Sequence, residues 1–233
     1  MIFNQFDRVY IINLPERQDR FRRITRELLR VGADPRCRPF EVFKGIRPES
    51  TDGFPSIGAR GIFLTQLKIF KDALQKGYAK ILLIEDDVMF TKSFFSSQEL
   101  ISRELAQVKW DIIYLGHHLT PGHSPAGLFR NDSYIIFMHF MGFNKRVLHD
   151  LIGFMEAALQ RLPGHPDGGP MHSDGMLNMF RVRNPGILTY IANPSLGYQG
   201  PSRSDITVSV FDRLDKTGMI LKPLRWLKTK WRL

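Results

Sequence analysis

The chain has 233 residues, of which 43% are hydrophobic and 12% aromatic, and a formal net charge of +10. These values suit one globular domain with a sizeable core, and the charge calls for an anionic partner such as a nucleotide-linked substrate, an anionic membrane or nucleic acid. Cys37 is the only cysteine, which excludes an internal disulfide or a Cys-based zinc site and agrees with a reducing cytoplasm. No stretch approaches the roughly 18 apolar residues of a membrane span. Asp7 and Arg8 interrupt the first apolar residues, so no secretory leader is expected.

In chain order, residues 8–14 read as a first strand stopped by Pro15. Phe21, Ile24, Leu28 and Val31 recur at helical spacing, and Gly32 ends that helix. Residues 37–43 read as a short strand, and residues 45–61, rich in Gly, Pro and Ser, as a loop. A second helix carries Phe63, Leu67, Phe70 and Leu74 and stops at Gly77. A strand then runs to Glu85, followed by a helix over 99–108 and a strand over 110–115. Residues 121–131 read as a loop and 134–138 as a strand. Asn144 is placed to cap a helix whose face is Leu148, Leu151, Met155 and Leu159. A loop over 164–170, a short helix over 172–180 and a strand over 186–192 complete the alternation. Strands alternating with helices predict an α/β domain over 1–212 with a mixed, mostly parallel sheet flanked by helices.

The tail, 213–233, differs. After Asp215 it holds Lys216, Lys222, Arg225, Lys228, Lys230 and Arg232 and no acid. Ile220, Leu224, Leu227 and Trp231 form a stripe at helical spacing. This suits a basic amphipathic helix on an anionic bilayer, and equally a helix packed on the domain with its lysines in solvent.

The chemistry concentrates at Ile81-Leu82-Leu83-Ile84-Glu85-Asp86-Asp87-Val88. A short uninterrupted apolar run reads as a strand buried on both faces, and the ends of such strands are where open α/β folds bind ligands. Three adjacent carboxylates repel one another and suit a hard divalent cation, Mg²⁺, Mn²⁺ or Ca²⁺, with Mn²⁺ or Mg²⁺ the expected cofactor. On strand geometry Glu85 and Asp87 face one site while Asp86 points away. An ion there would bridge a diphosphate. The acids do not have the spacing of an aspartyl-phosphatase, and no phosphate-binding loop ending in Gly-Lys-Ser/Thr is present. His117-His118 reads as a pair of loop-edge residues.

Four motifs, in order, carry a family resemblance. They are residues 9–14 with Arg17 and Arg20, residues 61–66 (Gly-Ile-Phe-Leu-Thr-Gln), residues 84–88, and Gln199 followed by Ser204-Asp205-Ile206. Together they resemble the bacterial lipopolysaccharide glycosyltransferases of the β-galactosyltransferase type, relatives of the collagen galactosyltransferases. The resemblance implies a GT-A type fold, a nucleotide-sugar donor (usually a UDP-sugar), a glycan or glycolipid acceptor and a divalent metal. It implies Asp87 as direct metal ligand, with Glu85 or Asp86 holding the nucleoside or the ion. Asn13, Arg17 and Arg20 would sit by the donor, though Arg17 and Arg20 also suit a solvated first helical turn. Gln199 and Asp205 would serve the donor side, Asp205 being equally suited to a turn. Asp174 is the candidate general base for the acceptor hydroxyl, and it also suits a helix N-cap. His172 would complete the metal site or touch phosphate, or be structural. The chain departs from the family at Thr65-Gln66, where Ser-His is usual, and Gln lacks the proton and metal chemistry of imidazole. The expectation is a hexosyltransferase, cytoplasmic and peripheral to the inner face of a membrane. Rivals are a catalytically impaired nucleotide-sugar-binding relative and, less favoured, a basic nucleic-acid-binding protein; nucleic acid is not an expected partner.

Overall fold

A computed structural model describes residues 1–119 and 125–200. A 3-10 turn, Ile2–Gln5, leads into β1 (Arg8–Asn13), α1 (Gln18–Arg30), β2 (Phe40–Lys44), α2 (Ile57–Gln75) and β3 (Lys80–Glu85). Then come β4 (Val88–Phe90), α3 (Lys92–Gln107), β5 (Ile112–Tyr114), β6 (Gly127–Arg130) and β7 (Phe140–Asn144). The order closes with α4 (Lys145–Leu159), α5 (Ser173–Arg183), β8 (Thr189–Asn193) and β9 (Gly197–Gln199).

Seven strands form one sheet in the order β2-β1-β3-β7-β5-β8-β6. β1 pairs parallel with β2 and β3, and β5 parallel with β8. β7 runs antiparallel to β3 and β5, and β6 antiparallel to β8, so β7 and β6 oppose the common direction of the rest. The expected mixed, mostly parallel sheet is therefore observed. A second, two-stranded sheet pairs β4 with β9.

The sheet is buried on both faces, which is why β3 reads as an unbroken apolar run. Ile81 and Leu83 enter one core layer with Phe63, Phe70, Leu148 and Phe180 from α2, α4 and α5. Leu82 and Ile84 enter the other, with Phe3, Ile24, Leu28, Phe94 and Ile101 from the 3-10 turn, α1 and α3. Successive strand side chains point to opposite faces, so each face needs its own apolar set.

Several expected boundaries move. Helix α2 begins at Ile57, inside the expected loop, because the Ser56 hydroxyl accepts from the Ala59 N–H at 3.0 Å and caps it. Helix α3 begins at Lys92 rather than Glu99, and the expected loop over 121–131 contains the edge strand β6. Residues 134–138 are not a strand. Their backbone is claimed by α5: Asn178 donates to the Ile135 carbonyl at 2.6 Å and accepts from the Ile135 N–H at 3.0 Å. Arg181 donates to the carbonyls of Asn131 and Ser133. With those groups satisfied by side chains, no ladder forms there, and the strand falls at β7 instead. Asn144 caps α4 as expected, accepting from Arg146 N–H. The tail 213–233 and Asp205 lie outside the described residues.

Gly142 lies in β7, closely packed between Phe6 and Ile113. A Cβ there would stand 2.6 Å from Phe6 Cε1 and 2.9 Å from Ile113 Cγ2. Gly142→Ala should destabilise the protein by about 1–3 kcal/mol through overpacking. The check is a lowered urea midpoint with an unchanged slope; an unchanged midpoint would show that the site relaxes freely.

Candidate functional site

The parallel pairing of β1 with β3 sets Ile12 opposite Glu85. The next residues, Asn13 and Asp86, therefore meet where both strands end. Asn13 donates to Asp86 Oδ2 at 2.7 Å and to the Arg17 carbonyl at 3.2 Å. Arg20, in the first turn of α1, donates to Asp86 Oδ1 at 3.1 Å and lies 3.9 Å from Asp87 Oδ2. Asp86 thus faces Asn13 and Arg20, and both its oxygens are engaged.

Asp87 is held from the other side. The β4–β9 pairing opposes Val88 to Gln199. Gln199 Nε2 donates to Asp87 Oδ2 at 3.0 Å, and the Gly200 N–H donates to the Asp87 carbonyl at 2.8 Å. Asp87 Oδ1 is buried and, among the described residues, has no hydrogen-bond partner. Such an atom calls for a ligand, since a buried polar group left unpaired costs about 1–3 kcal/mol.

Two cavities meet at this strand end. The smaller, about 350 Å³, is lined by Ile12, Leu14, Arg20, residues 45–47, 56–58, 61 and 62, Thr65, Glu85 and Asp86. The larger, about 550 Å³, is lined by Ile62, Gln66, Glu85, residues 134 and 137–139, residues 171–175 and Gln199. Ile62 and Glu85 belong to both walls. Glu85 makes no side-chain hydrogen bond among the described residues, and its carboxyl is pushed well above the usual range by desolvation, then by the charges of Asp87 and Asp86. Asp86 is also raised by burial, against the opposing pull of Arg20 and Asn13.

Helix α2 builds the wall of both cavities. Gly61 lets it approach the loop before it, for a Cβ there would collide with the Ile46 carbonyl oxygen. Thr65 Oγ1 accepts from the Ile46 N–H at 2.9 Å and donates to the Gly61 carbonyl at 2.7 Å. Thr65 therefore retains, by its hydroxyl, a structural tie that a serine would also make. Gln66 makes no such tie: it is fully buried, and among the described residues neither its Oε1 nor its Nε2 has a partner.

The structure brings Asn13, Arg20, Glu85, Asp86, Asp87 and Gln199 to one place. His172 and Asp174 line the larger cavity with Glu85 and Gln199. His172 is the N-cap residue of α5 without a side-chain capping bond, so Asp174 is not the cap. Asp174 lies in the first turn, where its Oδ1 accepts from the Gly175 N–H at 2.8 Å. Arg17 lines neither cavity; its guanidinium pairs with Asp19. His117 lies at the loop edge just past β5, as expected, but it is buried, its Nε2 lying 2.7 Å from the Ala192 carbonyl. Sequence reasoning missed His139, whose carbonyl accepts from the Glu85 N–H at 2.8 Å and whose ring enters the larger cavity. It also missed Phe137, whose backbone at φ 72° is strained for a bulky residue in that same wall.

The carboxylate oxygens suit a hard cation, and the orphaned Asp87 Oδ1 is where one would be held. Among the described residues, no group of three or more His, Cys, Asp or Glu side chains forms a ready metal cage. One or two carboxylates suffice for Mg²⁺ when substrate phosphates complete its shell, so the residues present fit an ion that arrives with a phosphorylated ligand.

The strand order and the helices on both sheet faces give an α/β domain of the GT-A type fold. No family model matches the chain. It is 28% identical over 129 residues to the probable inactive glycosyltransferase 25 family member 3 of Bos taurus, across 48% of this chain and 22% of that protein. It is 32% identical over 129 residues to procollagen galactosyltransferase 1-A of Xenopus laevis, across 48% of this chain and 21% of that protein. The chain thus matches about a fifth of the length of these relatives. A glycosyltransferase involved in the glycosylation of the major capsid of PBCV-1 superposes with a TM-score of 0.50 over 91% of this chain and 100% of that one. At 12% sequence identity, that likeness is one of fold.

The raised Glu85 carboxyl has a direct consequence for stability without metal. A carboxyl raised in the folded state favours folding below its unfolded value, and that contribution is lost as pH rises through the folded value. In chelator, Glu85→Gln should therefore raise the thermal midpoint at pH 8 and leave it nearly unchanged at pH 4. Equal midpoints at both values would show that Glu85 ionises freely.

Proposed function

We propose that the chain is a metal-dependent, inverting glycosyltransferase that moves a hexose from a UDP-sugar to a saccharide hydroxyl. The observation that carries this reading is the Asp86–Asp87 turn. One carboxylate, in the wall of the smaller cavity, is fixed by Asn13 and Arg20, and its neighbour keeps a buried oxygen with no hydrogen-bond partner among the described residues. The smaller cavity would take the nucleoside, with Arg20 and Asn13 on the donor side. Asp87 would hold the divalent ion, Glu85 or His172 assisting. When bound, that ion offsets charge on the diphosphate leaving group.

The larger cavity would take the acceptor. Asp174, at its wall, would accept the proton of the attacking hydroxyl. The new bond forms between that oxygen and the anomeric carbon as the bond to the diphosphate oxygen breaks. Attack from the face opposite the leaving group gives inversion. The acceptor is proposed to be a lipopolysaccharide or related glycan, and the basic tail would meet an anionic, cytoplasmic membrane face. Among the described residues, no helix is long and apolar enough to cross a membrane.

A second reading, nucleotide-sugar binding without transfer, rests on Gln66 in place of the family's imidazole and on the inactive proteins among the relatives. A turnover assay over UDP-sugars separates the two.

Calorimetric titration of UDP with and without Mn²⁺ should reveal binding that needs the metal and is lost in Asp87→Ala. Metal-independent binding retained in that variant would remove Asp87 from the metal site. Asp174→Asn should keep UDP affinity while transfer falls by about 10²–10⁴-fold, the usual worth of a general base. Lost UDP affinity would show that Asp174 serves the donor instead.

A further inference from the structure

Gln66 lines the larger cavity, yet both polar atoms of its amide are buried and have no partner among the described residues. An amide used only for packing is replaced by Leu or Met at no loss, because each unpaired buried polar atom is costly. Two other residues of the same wall share the condition: His139 Nδ1 and Ser173 Oγ are also buried without a partner among the described residues. Three residues of one cavity wall, from α2, the segment before β7 and the start of α5, thus hold hydrogen-bonding capacity that no described residue uses.

Their place in that cavity narrows the ligand. Ile62, one helical turn before Gln66, lines both cavities, as Glu85 does. A group joining the nucleoside side to the acceptor side must pass this junction, and on the reading above that group is the transferred sugar. An amide carries donors and an acceptor together, matching hydroxyls that both donate and accept. We propose that Gln66 selects the transferred hexose, its amide hydrogen-bonding a hydroxyl pair of that sugar beside His139 and Ser173. This rests on the donor reading proposed above. It makes the departure from the family's imidazole a change in which sugar is read rather than a defect.

The test is calorimetry with Mn²⁺, using UDP, UDP-glucose, UDP-galactose and UDP-N-acetylglucosamine on wild type, Gln66→Met and Gln66→Leu. Both variants keep bulk and remove the amide, so the test survives misfolding of either; folding is checked by circular dichroism. Wild type should spread the three sugars over at least about tenfold in Kd, as expected of a site that pairs hydroxyls. The variants should compress that spread to within about threefold while UDP affinity holds within about twofold. An unchanged spread in a folded variant, or no spread in wild type, overturns the assignment while UDP binding leaves the donor reading standing. UDP failing to bind wild type overturns both.

Discussion

The pairing of β1 with β3 is the constraint on which the candidate site depends. A parallel register that opposes Ile12 to Glu85 carries Asn13 and Asp86 to the same point beyond the strand ends. Asp86 is nearly buried there, and a lone buried carboxylate would be strongly unfavourable. Asn13 and Arg20 stabilise its charged form by hydrogen bonds and a short ion pair. With Asp86 fixed, the chain turns so that Asp87 faces β9, where Gln199 and Gly200 hold it. A slip of one residue between β1 and β3 would break the Asn13 contact and reverse the faces of Ile81–Ile84 at once.

Two groups of residues around this turn do different work. Gly61 and Thr65 fix the loop before α2 against the helix, which shapes the smaller cavity without using charge. Asn178 and Arg181 do the equivalent for the larger one, tying residues 131–135 to α5. Polar side chains that satisfy backbone groups allow a non-ladder segment to be packed beside the sheet. Among the described residues, Glu85, Asp87 Oδ1, Gln66, His139 Nδ1 and Ser173 Oγ are groups around the turn and the larger cavity that the fold does not consume.

Much of this was legible in the amino-acid sequence, for reasons that differ by element. The run ending at Glu85 was legible because a strand buried on both faces has no polar positions to hide it. Helix faces such as Leu148, Leu151 and Met155 were legible by their period. The three-residue β4 and edge strand β6 were not, since neither is long enough to show a period. The segment 134–138 misled because its apolar residues line a cavity and a core without forming a ladder; the groups that settle it lie more than 40 residues later, at Asn178 and Arg181. Asp86 was expected to point away from the site because strand alternation was extended past Glu85, where the chain turns. His139 carried no local signal at all, being brought to Glu85 by the antiparallel pairing of β7 with β3.

Inactive proteins among the relatives raise the question of what a change at one wall position means for chemistry. On the proposed reading, the reaction needs a hard oxygen at the leaving group and a base at the acceptor. Asp87 is held by β9 and Asp174 by the first turn of α5, and neither contact passes through α2. Thr65 keeps the hydroxyl tie that shapes the loop, so Gln66 can vary without dismantling that wall. A side chain whose polar atoms have no structural partner is free to change with the ligand it meets. On the proposed reading, substitution there alters recognition first, whereas loss of Asp87 or Asp174 alters the reaction itself.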